Sequence, residues 1–85
     1  MTYGLDLTKR ADKDLQKLPV QVQERIVKGL RLLRNDLQGD VKKLTNFTPE
    51  YRLRVENYRV LFEIEDNTER STIVIQRILH RKDAY

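Results

Sequence analysis

An α+β domain is what this sequence predicts: an antiparallel sheet with an N-terminal helical hairpin packed on one face, in the order β-α-α-β-β-β. Three observations predict it. Apolar residues recur at helical spacing through the first half of the chain, the spacing changes to strict alternation from Tyr51 onward, and Pro19 splits the helical half in two. The 85 residues are read as one domain spanning 1–85. A chain of that size has room for one sheet and one helical layer, and it buries only ~60–65% of its unfolded surface.

Taken in order, Tyr3 to Leu7 alternates, with Tyr3, Leu5 and Leu7 on one side and Asp6 on the other, and reads as a strand. Thr8 follows as a helix N-cap. From Lys9 to Leu18, the residues Ala11, Leu15 and Leu18 fall on one helical face, and Pro19 is suited to the first turn of a second helix. That helix is expected from Val20 to Gln38. Val22, Ile26, Leu30, Leu33 and Leu37 form its apolar stripe, and Gly39 is its stop. Asp40 to Glu50 is a polar stretch. Tyr51 to Val55 and Tyr58 to Glu65 then alternate as strands across a tight Glu56-Asn57 turn. Asp66 to Glu69 is a second turn, and Ser71 to Leu79, rich in β-branched residues, reads as a central strand.

Composition excludes several chemistries. With no cysteine and a single histidine, the chain lacks the ligands of a typical zinc site, and its carboxylates form no cluster suited to magnesium. Its three glycines are far apart, so there is no glycine-rich phosphate loop. No metal and no cofactor are expected. The opening MTYGLDLTKR has no secretory pattern and no stretch approaches the ~20 apolar residues of a membrane span, so a soluble cytoplasmic protein without a membrane partner is expected. Lys and Arg number 17 against 13 Asp and Glu, a net charge of +4 that favours a polyanionic partner.

The candidate site lies in the strands. Arg52 and Arg54 are two residues apart and project from one face, while Leu53 and Val55 point to the other. Val60, Phe62 and Ile64 would join Leu53 and Val55 over the helices, which brings Arg59 up beside the two arginines. Arg77 interrupts an otherwise apolar strand, and His80, Arg81, Lys82 and Tyr85 follow it. The arginines would form a concave basic face carrying one imidazole and one phenol. Guanidinium groups bind phosphates bidentately and keep their charge, which suits a pentacoordinate phosphate. The plainer alternative is that these arginines pair with Glu50, Glu56, Glu63 and Asp83, that His80 is an ordinary surface histidine, and that Tyr85 is a frayed end.

At these residues the chain resembles a known family. YRLRVENYRVLFEIED and TIVIQRILHRKDAY, with LTKRADKDLQKLP and DVKKL upstream, are similar to the RelE/ParE toxin superfamily and to its RelE-like branch. The resemblance implies a RelE-like fold and an activity, ribosome-dependent cleavage of mRNA that leaves a cyclic 2′,3′-phosphate and a 5′-hydroxyl without a metal. It implies that Arg52, Arg54, Arg59, Arg81, Tyr85 and His80 are catalytic, and that Arg77, Lys82 and Lys43 bind RNA. In that scheme Arg59 and Arg81 clamp the scissile phosphate, Arg52 and Arg54 stabilise charge, and Tyr85 is the base with His80 as its competitor. The implied partners are an antitoxin, in a heteromeric toxin–antitoxin complex, and the ribosome with its mRNA. Two rivals stand beside this reading: a ParE-like inhibitor of DNA gyrase without nuclease activity, and a passive RNA-binding module. The family often carries glycine where Glu56 and Leu79 stand. Asn57 is therefore expected to supply any left-handed residue in the hairpin.

Overall fold

The computed structural model describes residues 2–45, 48–66 and 69–84. The elements are β1 (Gly4–Leu7), α1 (Lys9–Gln16), α2 (Val20–Arg34), β2 (Asp40–Lys43), β3 (Tyr51–Val55), β4 (Tyr58–Glu65), β5 (Thr72–His80) and α3 (Arg81–Ala84). The five strands form one sheet in the order β1-β5-β4-β3-β2. The α+β class is as expected, with two additions: β1 runs parallel to β5, which makes the sheet mixed, and β2 extends it antiparallel to β3. β2 escapes a reading by hydrophobic alternation because Val41 is its only apolar residue. An edge strand is held by backbone hydrogen bonds and needs little apolar surface.

Thr8 caps α1 as its spacing predicts, its Oγ1 accepting from the Ala11 amide at 3.1 Å. The helix is shorter than its apolar pattern, ending at Gln16. Leu18 then lies in the joint, where its carbonyl accepts from Gln23 Nε2 at 2.7 Å. Pro19 occupies the N-cap of α2, and Ile26, Leu30 and Leu33 are the buried stripe. That helix stops at Arg34, before the expected Gln38. The Arg34 carbonyl is taken by the Tyr3 amide at 2.9 Å, and Asp36 and Leu37 turn left-handed, with φ of 59° and 56°. Gly39 therefore does not end the helix. It has a φ of 118°, and a Cβ there would meet Leu53 Cδ1 at 2.9 Å, so the glycine lets the chain pass close over β3 into β2.

The bounds of β3 and β4 coincide with the alternating segments. The turn between them corrects one expectation: the left-handed residue is Glu56, with φ of 53°, and not Asn57. Its side chain reaches Arg25 on α2 at 3.2 Å, an exposed ion pair across the turn. Asn67 and Thr68, in the expected second turn, lie outside the described residues.

The two long helices cover one face of the sheet. Ala11, Ile26, Leu30 and Leu33 meet Leu53, Val60, Phe62, Ile73, Ile75 and Ile78 in a single core, and Tyr51 stacks on Phe62 with ring centroids 5.4 Å apart. Opposite the helices lies the second face of the sheet, called the open face below, to which the alternate residues of each strand belong; it is covered in part, since Leu61 on it is 3% exposed.

β1 pairs only with Thr72 to Ile75 of β5, which leaves the outer edge of the last half of β5 without a strand partner. Helix α1 and its N-cap replace it. Thr8 Oγ1 donates to the Gln76 carbonyl at 3.2 Å, and Asp14 accepts from the Ile78 amide at 3.0 Å. Two side chains thus complete hydrogen bonding that a strand would otherwise supply.

Candidate nucleic-acid interface

Strand register determines which charges meet on the open face. Arg54 of β3 lies directly opposite Arg59 of β4, and Asp40 of β2 opposite Arg54 on the other side. One step along, Lys42, Arg52, Leu61 and Arg77 form a row across four strands. Like charges placed opposite each other in a sheet are destabilising, so the Arg54–Arg59 pair is a feature that packing alone does not favour. Arg54 is exposed and has no carboxylate partner among the described residues. Arg59 Nη1 donates to the carbonyls of Glu56 and Tyr58, both at 3.0 Å, which holds the guanidinium in place, and no carboxylate among the described residues pairs with it.

Arg52 is held differently. Its Nη1 donates to the Asp40 carbonyl at 2.9 Å and to Asp40 Oδ1 at 3.2 Å. Arg77 is the most firmly engaged: its Nε and Nη2 donate to the two Asp14 oxygens at 2.8 and 3.3 Å. Burial by itself would raise the Asp14 pKa. The Arg77 hydrogen bond, the Ile78 amide and the charges of Arg77 and Arg10 outweigh it and hold the carboxyl below its ordinary value. The same hydrogen bond raises the pKa of Arg77. Arg77 is thus a strut between α1 and β5, and its charge is largely spoken for within the fold.

The histidine does not join the arginines. His80 pairs with Tyr58 in register, on the helix side of the sheet, and the two rings meet edge to face at 5.4 Å. Its Nδ1 accepts from the Lys82 amide at 3.3 Å. Alternation along β5 is the physical reason: Ile78 points into the core, Leu79 faces Arg59, and His80 turns back to the helix side. The single concave face that the sequence suggested therefore lacks its imidazole.

Arg81 opens α3, where its amide donates to the Asn57 carbonyl at 2.7 Å. This bond fastens the start of α3 to the β3–β4 turn, the end of the sheet that carries Arg54 and Arg59. Arg81 and Lys82 are exposed, and Tyr85 lies outside the described residues. Lys43, expected at the RNA surface, is in register with Tyr51 on the helix side, with its Nζ 5.9 Å from the centre of that ring. Its neighbour Lys42 takes the open-face position beside Arg52 and was missed; once Val41 is recognised as the inward residue of a strand, alternation identifies it.

The carboxylates proposed as ordinary partners of these arginines do not serve that role. Glu56 pairs with Arg25, Arg52 pairs with Asp40, and Glu63 pairs with none of the described residues.

Comparison with known proteins places this arrangement in a family. Residues 5–85 match the family described as ParE toxin of type II toxin-antitoxin systems. Toxin RelE3 of Methanocaldococcus jannaschii is 36% identical over 78 residues, covering 86% of this chain and 84% of its own length. Toxin RelG of Mycobacterium tuberculosis is 32% identical over 87 residues, covering 100% and 98%. Among solved structures, the RelBE2 toxin-antitoxin complex of Mycobacterium tuberculosis superposes with a TM-score of 0.76 at 32% identity, over 95% of this chain and all of that one. The archaeal RelE-RelB complex of Pyrococcus horikoshii gives a TM-score of 0.75 at 29% identity, over 99% and 100%. With its whole fold matched and its register aligning basic residues on the face of the sheet opposite the helices, the chain belongs to the RelE/ParE family of type II toxin–antitoxin toxins.

Proposed function

We propose that this chain is the toxin of a toxin–antitoxin pair and that it cuts mRNA on the ribosome, in the cytoplasm, without a metal. The observation that carries the reading is the facing pair Arg54 and Arg59, two guanidiniums in register on the sheet face opposite the helices, neither paired with a carboxylate among the described residues. In the reaction the 2′-hydroxyl of a ribose gives its proton to a base on the enzyme and attacks the adjacent phosphorus. The bond from phosphorus to the 5′-oxygen breaks, that oxygen takes up a proton, and a cyclic 2′,3′-phosphate and a 5′-hydroxyl result. The enzyme supplies orientation, positive charge around the phosphorane and proton transfer.

Arg59, pre-set by its two carbonyl contacts, and Arg81 clamp the scissile phosphate. Arg54 neutralises developing charge, and Arg52 and Lys42 hold flanking phosphates. Tyr85 is the base in this scheme. The turning of His80 toward Tyr58 favours Tyr85 over the imidazole. A cognate antitoxin is the partner that silences the site, as the toxin–antitoxin complexes among the structural neighbours support.

Primer extension on mRNA after brief induction tests the reading, and cleavage within codons on purified ribosomes is the expected result. Tyr85→Phe should retain ribosome binding and lose at least ~100-fold in cleavage; full cleavage by that variant would remove the tyrosine from the mechanism. Because the matching family is described as ParE, gyrase inhibition is the second reading. It requires DNA breakage and an SOS response on induction, with mRNA left intact.

A further inference from the structure

His80 turns away from the arginine pair, yet its ring is held at a definite angle. It is the last residue of β5 and directly precedes α3. In register with Tyr58, it meets that ring edge to face, with centroids 5.4 Å apart and planes at 78°. The contact orients the imidazole so that Nδ1 accepts from the Lys82 amide at 3.3 Å.

His80 therefore occupies the N-cap of α3, and Lys82 is the second residue of that helix. An acceptor side chain at this place satisfies one of the N–H groups that a helix leaves unpaired at its start. Serine, threonine, aspartate and asparagine are the usual caps; here an imidazole takes their place. α3 has four residues, and a helix that short has no stability of its own. Its placement depends on what holds it from outside. The Arg81 amide donates to the Asn57 carbonyl at 2.7 Å, and Ala84, 5% exposed, is buried apart from the core beneath the helices. The Asn57 carbonyl is backbone and would be present with any residue there. The imidazole is the hydrogen-bonding side chain on which the placement depends.

We propose that His80 is a positioning residue. By capping α3 it aims Arg81, and Tyr85 beyond it in the chain, at the end of the sheet where Arg54 and Arg59 face each other. It carries no proton in the reaction and touches no substrate. The proposal rests on the RNA-cleaving reading and gives the imidazole a part in it that acts through α3.

Two variants separate the ring from its acceptor. Asparagine Oδ1 is as many bonds from Cα as Nδ1 is, so His80→Asn keeps the cap and loses the ring. His80→Phe keeps a ring beside Tyr58 and loses the cap. With the full chain and purified ribosomes, His80→Phe should cleave roughly 5- to 30-fold more slowly, as expected for the loss of an N-cap. The fall should lie in kcat, with KM for the ribosome unchanged. His80→Asn should cleave at the wild-type rate. An imidazole that carries a proton would be missed equally in both variants, and one that only packs on Tyr58 would be replaced by phenylalanine; either result overturns the proposal and leaves the nuclease reading standing. Amide hydrogen exchange gives a readout that needs no cleavage. The Lys82 amide should exchange faster in His80→Phe and not in His80→Asn, while the Ile78 amide, bonded to Asp14, keeps its wild-type protection. An unchanged Lys82 amide, or an equal loss at Ile78, overturns the proposal. If wild type cleaves no message, the nuclease reading fails, and the exchange measurement alone decides whether His80 holds α3.

Discussion

Replacing Asp14 with alanine removes the carboxylate that joins α1 to the last half of β5. Two losses follow. The Ile78 amide loses its acceptor at a strand edge that no strand pairs with among the described residues, which costs about 1–3 kcal/mol. Arg77 loses its ion pair; its side chain is 29% exposed, so hydration offsets much of that loss and the pair contributes about 0–1 kcal/mol. Together they come to about 2 kcal/mol. For a chain of 85 residues, total stability is about 4–13 kcal/mol, and each kcal/mol shifts Tm by about 4–8 °C. Asp14→Ala should therefore lower Tm by about 8–16 °C at pH 7, measured by circular dichroism. Asp14→Asn keeps an acceptor for the amide and should lose about half as much. The folded-state pKa of Asp14 lies below its ordinary 3.8, so its contribution is fully present above that value and is lost as pH falls through the folded pKa. The gap between wild type and Asp14→Asn should accordingly narrow below pH 3.8. An alanine variant that melts within about 1 °C of wild type at pH 7 would refute the view that this carboxylate closes the β5 edge.

Gly39→Ala places a methyl group 2.9 Å from Leu53 Cδ1 at a φ of 118°, and should destabilise by about 2–3 kcal/mol in chemical denaturation. Arg54→Gln should do the reverse, raising stability by up to about 1 kcal/mol by ending the repulsion with Arg59, while cleavage on ribosomes falls by about 100-fold or more. A variant that is both less stable and fully active would contradict the role given to that pair. Glu56→Gly relieves a left-handed residue, worth about 1 kcal/mol, and loses an exposed ion pair worth less. Its unfolded state gains entropy in return, so denaturant midpoints should agree with wild type to within about 1 kcal/mol.

Periodicity made much of this fold legible. The bounds of β3 and β4 follow from alternation alone, and the helical hairpin follows from Pro19 and two apolar stripes. Leu37 misled the reading of α2: it belongs to the apolar stripe and packs on the core, yet it does so from a left-handed turn after the helix has ended. β2 was hidden because an edge strand of charged residues leaves no hydrophobic signature. The site was legible to the extent that it depends on alternation, which put Arg52, Arg54 and Arg59 on one face. It failed where a residue's destination depends on a distant element. Arg77 was an RNA contact by its position in the strand, and only the approach of α1 reveals Asp14 as its partner. His80 required counting alternation to the end of β5.

The pairing of β1 with β5 has a consequence for how the protein is made. A hydrogen bond joins residues 68 positions apart, Thr8 to Gln76, and most of the residues buried under the helices come from β3, β4 and β5. While a ribosome is synthesising the chain, α1 and α2 emerge with their apolar stripes uncovered and wait for the final strand before they can close over a core. Such long-range closure slows folding and postpones it until translation of this domain is nearly finished. The sheet face that carries Arg54 and Arg59 is therefore not assembled until β5 has been made.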